Sequence, residues 1–267
     1  MIAVELAKLL RRPRTWVTVA LLTGLPTLVA VFIAVTEVGP RPGQGPAFLS
    51  AVLTNGNLFP AAALAIVLPL FLPIAVAVVA GDSIAGEANA GTLRYLLVRP
   101  VGRTRLLIAK LVAVTAFIAL SVVSVAVVAY FVGTHLFGSH PLPSVSGTQL
   151  STTQASARVL GAVLYVGASM LGVAAFALFF STLTDSPLAA ALGALAVLVT
   201  SQVLVLLDAA AAVRPYLPTR YWLSFVDFFR DPIYWREIQR GVALQAVYVV
   251  ALLGMAWANF STKDITS

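Results

Sequence analysis

The chain has 267 residues, 60% hydrophobic and only 10% charged, against about 25% charged in an ordinary soluble domain. Its net charge of +7 has no separate basic domain to carry a duplex, so the excess points to anionic lipid and membrane topology and away from nucleic acid. The absence of cysteine excludes disulfides, thiol catalysis and Cys-based metal sites.

Charge-free runs at 15–36, 42–81, 111–157, 159–184, 186–207 and 241–262 each reach the roughly 20 residues that cross a bilayer core as a helix. The second and third runs also contain polar loop, so each supplies one span. Six transmembrane helices in a single membrane domain follow, with no room for a soluble catalytic domain. The first run is not a cleavable signal, because it follows a basic amphipathic segment and exceeds the usual apolar length.

Residues 1–14 read as an interfacial helix. Ile2, Leu6, Leu9 and Leu10 recur at helical spacing, with Glu5, Lys8, Arg11 and Arg12 mostly between them. Pro13 ends it, and Trp16 marks the headgroup level where the first span begins. An ordinary positively charged flank is the alternative. The Pro/Gly-rich loop at 37–57 leaves room for a short surface helix around Phe48 to Leu53.

A second span over 58–80 carries Pro69 and Pro73. Two prolines four apart should kink it and free carbonyls that must find partners in the bundle. The third span is expected over 106–132, followed by a loop at 134–157 whose His135 and His140 lack companion ligands for a metal. Spans four and five, 159–183 and 187–207, join through Thr184-Asp185-Ser186-Pro187. There Asp185 or Ser186 caps and Pro187 opens the next helix. Residues 208–240 are aromatic and mixed in charge, with Trp222, Phe225, Val226 and Phe229 on one helical face. They form either a re-entrant cap over a substrate path or an anchoring belt. The sixth span covers 241–261.

Lys and Arg number 4, 1, 5, 1, 0, 5 and 1 along the successive termini and loops. The early alternation places the N-terminus and the 81–110 loop inside. The fifth loop breaks the pattern. A re-entrant hairpin at 159–207 is the competing topology, but each half is long enough to cross alone.

Span interiors carry no Asp, Glu, Lys, Arg or His, which weakens ion coupling. Gly81-Asp82-Ser83-Ile84-Ala85-Gly86 copies P-loop glycine spacing, yet Glu87 and Ala88 replace the Lys-Ser/Thr pair. Both acids would repel phosphate. This chain therefore binds no cofactor and is not an enzyme on this reading; uphill transport would draw its energy through a partner. The most polar triplet at membrane depth is Thr200, Ser201 and Gln202. It either lines a pathway or makes interhelical hydrogen bonds.

The central stretch GDSIAGEANAGTLRYLLVRPVGRTRLLIAK suits docking a partner. Asp82 or Ser83 caps a short helix ended by a left-handed Gly91, and Thr92 caps a second one stopped at Arg99-Pro100. The alternative is a basic loop touching lipid headgroups, which accounts poorly for Glu87 and the paired caps. With Glu87, Gly91, Thr92, Leu93, Leu96, Leu97, Pro100, Arg103 and Lys110 in place, the stretch resembles the signature loop of type-2 ATP-binding-cassette (ABC) permeases. ELAKLLRRPRTW is similar to the elbow-helix opening of that family.

The resemblance implies an all-α membrane protein of six spans with an elbow helix at 1–14. It implies a cytoplasmic coupling helix within 81–105 and an external re-entrant segment at 208–240. Such a permease works as a homodimer or heterodimer with a second permease chain, in a prokaryotic plasma membrane with both termini cytoplasmic. Two copies of a separate cytoplasmic ABC ATPase would hold ATP and Mg. Asp82, Glu87, Gly91, Thr92 and Arg94 would couple to that ATPase, with Glu87 at the contact. Trp222, Phe225 and Phe229 would close the exit. An ATPase-independent transporter or channel, and a non-transporting scaffold, are the rival classes.

Overall fold

A computed structural model describes residues 1–36, 56–91, 102–138, 142–143 and 149–262. Six of its helices are long and apolar enough to cross a membrane, and the protein is an all-helical, multi-pass membrane protein. The helices are α1 (Ile2–Arg11), α2 (Pro13–Thr36), α3 (Phe59–Val67), α4 (Phe71–Asn89) and α5 (Arg103–Phe137). They continue as α6 (Thr152–Leu183), α7 (Pro187–Leu206) and α8 (Trp235–Thr262). A two-residue pairing of Leu142–Pro143 with Gln149–Leu150 is the β structure among the described residues.

The elbow between α1 and α2 is fixed by the proline. Arg12, placed before Pro13, has φ −78° and ψ 120°, the extended conformation that a following proline imposes. Pro13 then opens α2 without wasting an N–H. The carbonyls left open at the end of α1 are taken by α2: Thr15 Oγ1 donates to Leu9 O at 2.8 Å and Trp16 Nε1 to Leu10 O at 2.8 Å.

The second span departs from the expected single helix at 58–80. It is broken at Leu68–Leu70, between α3 and α4. Pro73 has no N–H for the carbonyl four residues earlier, which belongs to Pro69. Gln202 Nε2 of α7 donates to Pro69 O at 2.6 Å, so the freed carbonyl does find a partner in the bundle. Beyond Pro73, α4 meets no further breaker and runs on to Asn89. Asp82 and Ser83 therefore lie inside it and cap nothing; Ser83 Oγ donates to Val79 O at 3.1 Å. Gly91, at φ +66°, follows the helix in the left-handed conformation expected of it. The two short helices expected around Phe48 and after Thr92 lie outside the described residues.

Two other spans are longer than their apolar cores. α5 starts at Arg103 and has 35 residues, about 52 Å, well beyond the roughly 30 Å core. α6 starts at Thr152, because Ser151 and Gln154 form a capping box. The hairpin into α7 is capped by Ser186, whose side chain accepts from Ala189 N. The packing centre is α6, which touches α4, α5, α7 and α8. It buries small residues there, Ala162, Ala174, Ala175 and Ala177 among them, as close helix approach in lipid requires.

Between α7 and α8 the chain is a series of 3₁₀ turns, the longest at Trp222–Phe229. Its irregular carbonyls are satisfied from the spans. Tyr165 of α6 donates to Tyr221 O at 2.6 Å, Gln245 of α8 to Pro218 O at 2.6 Å, and Tyr248 to Tyr216 O at 2.8 Å.

Replacing Gln202 by Leu removes the donor from the Pro69 carbonyl and should lower stability by about 0.6–1.7 kcal/mol, read by thermal unfolding in detergent. In a Pro73→Ala background residue 73 regains an N–H for the same carbonyl, and the loss should shrink. An equal loss in both backgrounds would show that this bond does not serve the proline break.

Candidate functional site

Seven charged side chains meet where α1, the start of α2, the end of α4 and the start of α5 come together. Glu5 and Lys8 sit three residues apart on α1 and share a face; Arg12 and Arg14 flank Pro13. Asp82 and Glu87 lie on the last turns of α4, and Lys110 lies two turns into α5.

The innermost four form an alternating chain. Lys110 Nζ donates to Glu5 Oε2 at 2.9 Å and also to Glu87 Oε1. Lys8 Nζ donates to the same Glu87 oxygen at 3.0 Å. The side chains of Lys110 and Glu87 are only 4% and 9% exposed. Charges this buried lose most of their hydration, and each is tolerable only because its opposite is in contact. Burial opposes the charge on Lys8, but its hydrogen bond to Glu87 and the carboxylates of Glu87, Glu5 and Asp82 prevail and raise its pKa. The tie is thus fully present below the usual lysine value of 10.5 and is lost as pH rises through the higher folded value.

The outer three are unbalanced. Arg12 Nη1 donates to Asp82 Oδ2 at 3.2 Å, and Arg14 Nη2 contacts the same oxygen. Gly86 makes room for this carboxylate, since a Cβ there would lie 2.4 Å from Asp82 Oδ1. Between the groups opens a cleft of about 600 Å³, lined by all seven charges.

A hydroxyl from α6 enters the same turn of α4. Ser181 Oγ accepts from Ile84 N at 3.1 Å and Ala85 N at 2.9 Å, and donates to Gly81 O at 2.7 Å. It is spliced into the helix ladder between Gly81 and Ala85, an insertion of the kind that bends helices.

Of the residues singled out in the sequence, Asp82 and Glu87 join this cluster and Gly91 ends the helix beneath it. Thr92 and Arg94 lie outside the described residues. The triplet in α7 does not converge on one space. Thr200 is exposed, Ser201 is buried against Thr219 at 2.7 Å, and Gln202 holds Pro69. Hydrogen bonding between elements accounts for the latter two. Trp222, Phe225 and Phe229 are 4%, 0% and 2% exposed, with their 3₁₀ turn packed on α6 and α8.

Sequence reasoning does not single out Glu5, Lys8, Arg12, Arg14, Lys110 or Ser181 as site residues, because in sequence the bases look like flanking charge. A signal existed: Glu5, Asp82 and Glu87 are three of only ten acids, and at a membrane boundary each needs a base. Among the described residues no three of His, Cys, Asp and Glu stand together as metal ligands.

The chain belongs to a protein family of unknown function, DUF2705, which matches residues 27–266. The match takes in Asp82, Glu87 and Lys110 and begins after the elbow. No curated protein matches the chain.

Lys110→Met removes the buried cation between Glu5 and Glu87 and should cost about 3–5 kcal/mol, seen as a lower melting temperature and yield. Glu87→Leu combined with Lys110→Met should lose clearly less than the two single losses added together. Simple additivity would show that the pair does not act as a unit.

Proposed function

We propose that this membrane protein is the permease subunit of an ATP-driven ABC exporter. It would work as a pair of permease chains on two copies of a separate cytoplasmic ATPase that holds ATP and Mg, with no hydrolysis on this chain. The observation that supports the reading most directly is the ion chain joining Glu87 and Lys110 to α1. These residues stand at the two roots of the segment 92–101, which carries the resemblance to a coupling loop. A push on that segment would reach α4 and α5 together and carry the elbow helix with them.

The break at Leu68–Leu70 suits such a motion, because α4 can tilt below it while α3 stays packed. Ser181 would hold α6 to the moving turn. In this scheme the buried Glu87 transmits force at the loop root, and Thr92 and Arg94, outside the described residues, are the further coupling candidates. The basic elbow and loop face the cytoplasm of a prokaryotic cell, and both termini lie on that side. On the opposite side, the 3₁₀ segment packed over α6 and α8 would close the exit.

The test is co-expression with an ATPase carrying a Walker lysine, followed by pull-down and ATPase assay. The ATPase should co-purify. Arg94→Glu should weaken it about ten-fold, the factor given by about 1.4 kcal/mol of lost contact, without changing the permease melting temperature. Transport that survives replacement of the Walker lysine would favour an ATPase-independent transporter. Failure of any ATPase to bind would favour a scaffold.

A further inference from the structure

We infer that the elbow and the adjoining face of α2 and α4 form a binding site for one anionic glycerophospholipid. The inference is independent of the ATPase reading. It rests on two cavities that meet at Arg14 and Val79. One is the charged cleft, where four cations face three carboxylates, an excess of a single positive charge. The imbalance lies at Arg12 and Arg14, which share Asp82 between them. Both guanidiniums remain partly exposed and so are open to a further anion. A phosphodiester carries one negative charge and offers paired oxygens to guanidinium.

The second cavity, of about 510 Å³, is an apolar groove between α2 and α4. Leu21, Leu25 and Leu28 form one wall, with Phe71, Ile74 and Val78 on the other. From Arg14 to Leu28 it follows α2 for about 21 Å, enough to pass the headgroup zone and the roughly 15 Å of one leaflet. Trp16 sets the depth. Its indole, 51% exposed, belongs at the headgroup level, and the two arginines lie within one turn of it. A charged mouth at headgroup depth that opens into an acyl-length apolar groove matches a phospholipid from phosphate to tail. A soluble anion would leave the groove empty, and a neutral tail would leave the extra cation unmatched.

The groove floor offers a clean variant. A Cβ at Gly24 would meet no atom within 4 Å, so a side chain there starts into open space, and Gly24→Phe is the variant that occupies the groove. The experiment uses the purified full chain in detergent, with native mass spectrometry and thermal shift. The probes are phosphatidylglycerol, phosphatidylcholine of the same chains, and glycerol 3-phosphate.

One phosphatidylglycerol should be retained in preference to phosphatidylcholine, and glycerol 3-phosphate should give no shift. R12Q/R14Q should weaken phosphatidylglycerol by about five-fold or more, and R12K/R14K, which keeps the charge but not the paired geometry, should recover only part of it. Gly24→Phe should also weaken it. Equal retention of both lipids overturns the inference, as does glycerol 3-phosphate matching the lipid, or a Gly24→Phe variant that binds normally. A dimer dissociated by Gly24→Phe with lipid retention intact also overturns it, because the groove would then belong to a second copy.

Discussion

The packing of the elbow against the spans depends on Lys110 being buried between two carboxylates. An isolated ammonium at this depth would be costly. Two carboxylates make it tolerable, Glu5 from one side and Glu87 from the other. Because those acids come from α1 and α4, their meeting fixes the elbow against the third span. Lys8 then completes the chain by sharing Glu87. The amphipathic helix is therefore held to α4 and α5 by ion pairs.

The same logic of local satisfaction runs through the bundle. Lipid offers no partner for a stray backbone group, and among the described residues the proline break and the 3₁₀ segment are met by polar side chains from neighbouring spans. Gln202 serves the proline break. Tyr165, Gln245 and Tyr248 serve the 3₁₀ segment. Asn259 Nδ2 donates to Thr182 O at 3.0 Å near the end of α6, and Arg103 donates to the last carbonyls of α8. A polar residue inside an apolar span is thus first a structural donor, which is why the α7 triplet does not assemble into a path.

Elements governed by their own sequence were legible from it. The six spans follow from apolar length, the elbow from Pro13, the α7 start from Ser186-Pro187, and the helix end from Gly91. Elements governed by distant partners were not. Lys8 is 79 residues from Glu87, and Ser181 is 97 from Ile84. No periodicity within either segment announces such a pairing. The extension of α4 past Asp82 belongs to the same class. Asp82 and Ser83 are good caps in isolation, but packing on α6 and α7 carries the helix through them, and tertiary contact overrides local propensity.

The fold separates stiffness from freedom in a way that bears on the proposed role. Below the break at Leu68–Leu70, α4 is fastened three ways: to α1 and α5 by ions, and to α6 by the Ser181 hydroxyl. At the break itself one side-chain bond, from Gln202, stands in for a missing helix bond. The groove beside α2 lies between these regions, along α4 from Phe71 to Val79. A lipid seated there would touch the lower half of the broken span and the elbow at once. Its phosphate would add a partner to the arginine pair that already holds Asp82. Lipid occupancy and the tilt of α4 would then bias one another, since whatever widens or narrows the groove must change the affinity for its occupant.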